Sequence, residues 1–154
     1  MIPAVEFANV SKRFANASAP ALDHVNLAIA PGELVCVLGT SGGGKTTLVK
    51  CINRLNEVDE GRVLVHGEDV AAMDPVELRR RIGYVIQQSG LFPHMTVAQN
   101  IACVPKILKW DSGRIDARVE ELLRLVHLDP CEFRDRYPAQ LSGGQQQRVG
   151  LARG

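Results

Sequence analysis

The chain has 154 residues, 45% hydrophobic and 23% charged, which suits a soluble globular domain with a core of its own. Eighteen basic and seventeen acidic residues are interspersed for a net charge of +1, so bulk attraction to nucleic acid or acidic membranes is not expected. No apolar run approaches the roughly 20 residues that cross a bilayer, and the opening MIPAVEFANV lacks the basic and apolar regions of a secretion signal. A cytoplasmic location is expected, with any membrane link made through a partner.

In chain order, Val5 to Val10 and Leu22 to Ile29 alternate apolar and polar residues and predict two half-buried strands. Ala15 to Pro20 reads as a loop and Pro31-Gly32 as a turn. Leu34 to Leu38, LVCVL, is a continuous apolar run that predicts a strand buried on both faces. Leu48, Val49, Ile52 and Leu55 recur at helical spacing, and Arg62 to Val65 predicts a short strand. Asp74-Pro75-Val76-Glu77 marks a helix start, with Asp as N-cap and Pro at the first position. Ile82 to Ile86, IGYVI, predicts a second buried strand, followed by a loop at Gly90 to His94. Thr96 to Gln99 is a capping box opening a helix towards Trp110. Ile115, Val119, Leu122, Leu123 and Val126 form one apolar stripe. Pro130 and Pro138 bound a short segment before the last helix. Cys36, Cys51, Cys103 and Cys131 form no CxxC pair and predict reduced, mostly buried thiols. His24, His66, His94 and His127 show no ligand spacing.

Gly39-Thr40-Ser41-Gly42-Gly43-Gly44-Lys45-Thr46 fits G-x-x-x-x-G-K-[ST] between a predicted strand and helix. Glycines there let backbone N–H groups wrap anionic oxygens, and the helix N-terminus points at the same phosphates. Lys45 supplies a mobile positive charge and Thr46 a hydroxyl for Mg²⁺. The loop alone leaves kinases, GTPases, helicases and transporters open; no NKxD guanine-reading sequence is found. Leu141-Ser142-Gly143-Gly144-Gln145 contains an S-x-x-Q capping box, yet two glycines in a first helical turn are poor helix formers. They make sense where bare backbone must approach a phosphate closely.

The phosphate loop and LSGGQQQR in one chain resemble the nucleotide-binding domain of ABC transporters, over essentially the whole length. The resemblance implies an α/β, P-loop NTPase core of ABC type with an antiparallel β edge and an inserted helical subdomain, truncated after the signature motif. Residues 1–154 would form a partial domain, 1–89 being the α/β core and 90–154 the helical subdomain. ATP and Mg²⁺ are the implied cofactors, with Gly39 to Thr47 (Thr47 included) cradling phosphate. Phe14 matches the aromatic residue that stacks on adenine. Gln87 matches the glutamine that touches Mg²⁺ and the nucleophilic water; with Lys45 it carries the implied catalytic role, and with Thr46 the metal role. Two such domains pair head to tail, so Ser142, Gly143, Gly144 and Gln145 would face ATP held by a second nucleotide-binding subunit. Gly90 to Val97 would lie near the transmembrane permease, placing the subunit on the inner face of the cell membrane.

The strings INRL (52–55), ELRRRIGYVIQQSGLFPH (77–94), VAQNIACVPKILKW (97–110) and RYPAQLSGGQQQRVGLAR (136–153) resemble ATP-binding subunits of osmoprotectant importers for glycine betaine, choline, carnitine or proline-like solutes, with related importers for amino acids or sulfonates left open. Thr40, Gly44 and Ile86 depart from common family residues without removing a ligand. The Asp-Glu carboxylates that hold Mg²⁺ and polarise water in relatives match no residue here. Hydrolysis by these residues alone is therefore not expected, and a non-hydrolysing nucleotide-binding or interaction module is the alternative. Lacking its neighbouring strand, LVCVL is expected to carry a bare edge and an uncovered face, with poor solubility or partial unfolding of the chain expressed alone as the consequence.

Overall fold

A computed structural model describes residues 2–15, 17–86 and 90–154. Strands β1 (Val5–Lys12) and β2 (Leu22–Ile29) form where alternation predicts them and pair antiparallel, with Val5 opposite Ile29. Strand β3 (Glu60–Val65) pairs antiparallel with the other side of β1. A short β4 (Glu68–Asp69), which the sequence reading does not include, completes the order β2-β1-β3-β4. His66 and Gly67 join β3 to β4 at φ 51° and 83°, the left-handed pair that a two-residue hairpin turn requires.

One irregularity decides which side chains of β1 are buried. Phe7 and Val10 are 2% and 0% exposed, although strict alternation would place them on opposite faces. The register shifts between them, with Asn9 at φ 54°, as a β-bulge does. Gly61 of β3 lies against this bulge, where a Cβ would overlap the carbonyls of Ala8 and Asn9.

The chain forms two compact units, Met1–Ile82 and Gly83–Gly154. In the first, Phe7, Val10, Leu22, Cys51, Val63, Val70 and Leu78 make the core. Helices α1 (Lys45–Ile52) and α2 (Pro75–Arg80) belong to this unit. Leu48 and Ile52 of α1 pack on the core, whereas Val49 of the same helix is exposed, as is Leu55, which lies past the end of α1. Asp74 caps α2 by accepting from the Val76 and Glu77 N–H groups, each at 2.9 Å.

The second unit is helical: α3 (Val97–Ile101), α4 (Cys103–Ile107), α5 (Ser112–Leu125), α6 (Pro130–Phe133), a 3-10 turn at Pro138–Gln140, and α7 (Gly143–Arg153). The apolar stripe of α5 enters its core, with Leu123 fully buried. The single helix expected from Thr96 towards Trp110 is instead two, broken at Ala102. Pro105 supplies the reason: it has no N–H for the carbonyl of Ile101, and its ring collides with that carbonyl in a continuous helix. No helix among the described residues is long and apolar enough to cross a membrane.

Two strand expectations are corrected. Residues 33–40 and 83–86 form no regular structure. Leu34 and Leu38 are 91% and 90% exposed. A strand exists only through a neighbour's ladder, and no described strand pairs with either run. The cysteine expectation is corrected too. Cys51 is buried, and that burial pushes its thiol pKa up, but Cys36 and Cys131 are exposed and Cys103 is intermediate. Cys36 stands in the unpaired run, and Cys131 lies on a one-turn helix too short to cover it.

Candidate functional site

The predicted phosphate loop is an exposed turn leading into α1. Gly42 and Gly44 sit at φ 80° and 79°, a region that costs a residue with a Cβ about 1–2 kcal/mol. Gly44 is constrained further, since an added Cβ would run into the Ala21 carbonyl. The Gly43 N–H donates to the Thr40 carbonyl at 3.2 Å, closing the turn.

The start of α1 differs from the starts of α2, α3, α5, α6 and α7, each of which has a side chain accepting from its first turn. Among the described residues no side chain caps α1, and its first turn holds no acidic residue. Its leading N–H groups and positive dipole end thus face outward. Lys45 adds the full charge: its Nζ donates to the carbonyls of Gly39 at 2.9 Å and Thr40 at 2.6 Å, folding the ammonium back over the loop. Thr46 is exposed at the same turn. Bare amides, a helix N-terminus, an ammonium and a hydroxyl make a donor set that fits a phosphate chain.

Phe14 lies beyond the end of β1 and is 43% exposed, so core packing does not fix its ring. The Lys12 ammonium stands 5.7 Å from the ring centroid. Backbone links connect this strand end to the loop: the Ala21 N–H donates to the Lys12 carbonyl at 2.7 Å, and the Ala21 carbonyl abuts Gly44.

In the second unit, Ser142 and Gln145 form the predicted capping box. Ser142 Oγ accepts from the Gln145 N–H at 3.3 Å, and Gln145 Oε1 accepts from the Ser142 N–H at 2.9 Å. Ser142, Gly143 and Gly144 are all exposed, and a Cβ on either glycine would meet nothing within 4 Å. Nothing among the described residues requires glycine at these positions, although each costs helix stability relative to alanine. Arg148 anchors the helix behind them, donating to the carbonyls of Val126 at 3.1 Å and His127 at 3.0 Å.

Gln87 lies outside the described residues. Residues Phe92 to Thr96 are pinned by a residue the sequence reading passes over. Asn100, fully buried, accepts from the Phe92 N–H at 2.8 Å and donates to the carbonyls of Phe92, Met95 and Thr96 at 3.0–3.2 Å. Arg153 donates to the Gly90 carbonyl at 2.7 Å and lies over the Phe92 ring. A signal for Asn100 did exist: an amide at apolar-face spacing between Val97 and Ile101 needs buried partners. Asp59, which holds the end of β1, had none, being 46 residues from Arg13 in sequence.

The sequence pattern of the ABC transporter family matches residues 22–154. The choline transport ATP-binding protein OpuBA of Bacillus subtilis is 56% identical over 94% of this chain and 38% of its own length. The glycine betaine uptake system ATP-binding protein YehX of Escherichia coli is 51% identical over 97% of this chain and 47% of its own. The chain thus spans less than half the length of these relatives. Among solved structures, the dimeric post-hydrolysis state of the ATP-binding cassette MJ0796, bound to ADP and Pi, is 36% identical with a TM-score of 0.84 over 97% of this chain and 68% of that one. The cassette cbiO1 of Clostridium perfringens superposes at a TM-score of 0.86, with 26% identity, over 99% of this chain and 61% of that one. With the family pattern spanning most of the sequence and the fold shared with solved cassettes, this chain belongs to the ABC transporter family.

Proposed function

We propose that this chain is the ATP-binding part of a subunit that powers an ABC importer for quaternary-ammonium osmoprotectants such as glycine betaine, choline or carnitine. The observation that carries nucleotide binding is the uncapped start of α1, with Lys45 folded over the exposed glycine loop. The solute class rests on the names of relatives such as OpuBA and YehX.

In this reading the N–H groups of Gly39 to Thr47 (Gly39, Thr40, Ser41, Gly42, Gly43, Gly44, Lys45, Thr46, Thr47) hold phosphate oxygens, and Lys45 swings from the Gly39 and Thr40 carbonyls to the β and γ groups. Thr46 would hold Mg²⁺ through its hydroxyl, with Gln87 completing the metal side and orienting the attacking water. Mg²⁺, when bound, neutralises charge on the β and γ phosphates. Phe14 stacks on adenine. A second nucleotide-binding subunit pairs head to tail, presenting Ser142, Gly143, Gly144 and Gln145 to the γ-phosphate. Because Ser142 Oγ already accepts from Gln145, its own proton is available for donation to that phosphate. The Gly90 to Val97 segment faces the permease, which keeps the subunit at the inner face of the cell membrane.

Titration with Mg-ATP tests the first part: Lys45→Ala should abolish binding, and retained micromolar affinity would sink it. Disrupting the gene and following radiolabelled solutes tests the second. Glycine betaine, choline or carnitine uptake after an osmotic upshift should fall while sulfate uptake holds; the reverse pattern would reassign the solute.

A further inference from the structure

Asp59 precedes β3 and contacts three consecutive residues at the end of β1. Its Oδ1 accepts from Lys12 Nζ at 2.7 Å, its Oδ2 accepts from the Arg13 N–H at 2.7 Å, and its own N–H donates to the Ser11 carbonyl at 3.0 Å. Arg13 lies just past the last residue of β1, so the carboxylate takes over where the strand ladder stops. The next residue is Phe14, whose half-exposed ring is carried by this backbone and approached by the Lys12 ammonium at 5.7 Å. Lys12 is the shared element: its ammonium binds Asp59 and approaches the ring, and its carbonyl accepts from Ala21, which abuts Gly44 of the phosphate loop.

Resting on the ATP-binding reading above, we infer that Asp59 is a positioning residue for nucleotide-base recognition, fixing the strand end that presents Phe14 to adenine. An exposed ion pair contributes little to stability by itself. A carboxylate with both oxygens engaged on adjacent residues instead restricts where the following side chain can go. The Arg13 N–H and the Lys12 ammonium also hold the Asp59 carboxyl below its usual pKa, so it stays ionised at neutral pH. The inferred role concerns the base alone, since the phosphates are held by the glycine loop and Lys45.

The test compares Mg-ATP with Mg-tripolyphosphate, which has the phosphates and no base, by calorimetric titration of the full chain. Wild type, Phe14→Ala, Asp59→Asn, Asp59→Ala and the Phe14→Ala/Asp59→Ala pair are measured, each with a thermal melt. Stacking on one aromatic ring supports a loss of about tenfold in ATP affinity for Phe14→Ala. Both Asp59 variants should weaken ATP at least about threefold and leave tripolyphosphate unchanged, and the double variant should bind ATP no more weakly than Phe14→Ala. Unchanged ATP affinity in the Asp59 variants overturns the inference, as does additivity with Phe14→Ala. Equal weakening of both ligands together with a lowered melting temperature overturns it in favour of a purely structural role. Failure of the wild type to bind either ligand overturns the ATP-binding reading itself, a result distinct from the others.

Discussion

Replacing Gly143 and Gly144 with alanine separates what the chain needs for folding from what the proposed head-to-tail pairing needs. Both residues are exposed in the first turn of α7, and a Cβ at either would meet nothing within 4 Å. Glycine in a helix costs about 0.8–1 kcal/mol relative to alanine in the interior, and less in the first turn. Each substitution should therefore stabilise the second unit by a few tenths of a kcal/mol and the pair by about 0.5–1 kcal/mol. For a chain of this size that raises Tm by about 1–4 °C in a calorimetric scan. The capping box should persist, because it uses the Ser142 and Gln145 side chains and backbone rather than the glycines. ATP-dependent self-association, read by sedimentation velocity with and without Mg-ATP, should be lost, because two methyl groups would stand between backbone N–H groups and the partner's γ-phosphate. The expected signature is a more stable protein that no longer pairs. A fall in Tm would show that the glycines serve the fold, and unchanged association would show that no phosphate approaches them; either result refutes the reasoning.

Four further outcomes follow from particular contacts. Gly44→Ala should cost at least about 2 kcal/mol in urea unfolding, from left-handed strain plus collision with the Ala21 carbonyl, while Gly42→Ala pays only the strain of about 1–2 kcal/mol; equal costs would count against the collision. Asn100→Ala should destabilise by about 2–3 kcal/mol, since it strands the Phe92 N–H and removes donors from three carbonyls, and a loss under about 0.5 kcal/mol would show the loop re-pairs without it. Asp59 has a depressed carboxyl pKa in the folded chain, so its contribution is complete above the ordinary aspartate range near 4 and fades as pH falls through the lower folded value; melting temperatures of wild type and Asp59→Asn should converge only below that lower value, and a constant gap would contradict this. Leu34→Lys with Leu38→Lys should reduce self-association in light scattering without lowering Tm, because both side chains are about nine-tenths exposed; a drop in Tm would mean that they pack in solution.

Local chemistry was legible from the sequence wherever a few neighbouring residues decide the outcome. Asp74, Thr96 and Ser142 start helices as their capping patterns predict, and the α5 stripe is buried at the expected spacing. Strands β1 and β2 lie where alternation places them. A capping box or a helical stripe stores its information within one or two turns. The motif strings likewise sufficed to reach the family, since both phosphate motifs are short and contiguous.

Features that depend on distant partners were decided only by the tertiary structure. LVCVL and IGYVI read as buried strands because apolar composition matches that environment, but a strand needs a ladder from another segment, and composition cannot supply one. The bulge that turns Val10 inward was hidden, since it depends on Gly61 meeting Ala8 and Asn9 across the sheet. Asp59 reached Arg13 and Lys12 only through β-pairing that places the start of β3 beside the end of β1. The sequence by itself determined the starts of α2, α3 and α7, the first strands and the two glycine motifs, because those rest on spacing along the chain. The tertiary structure alone decided which apolar runs find a neighbour and which residues hold the end of β1, because those rest on contacts across it.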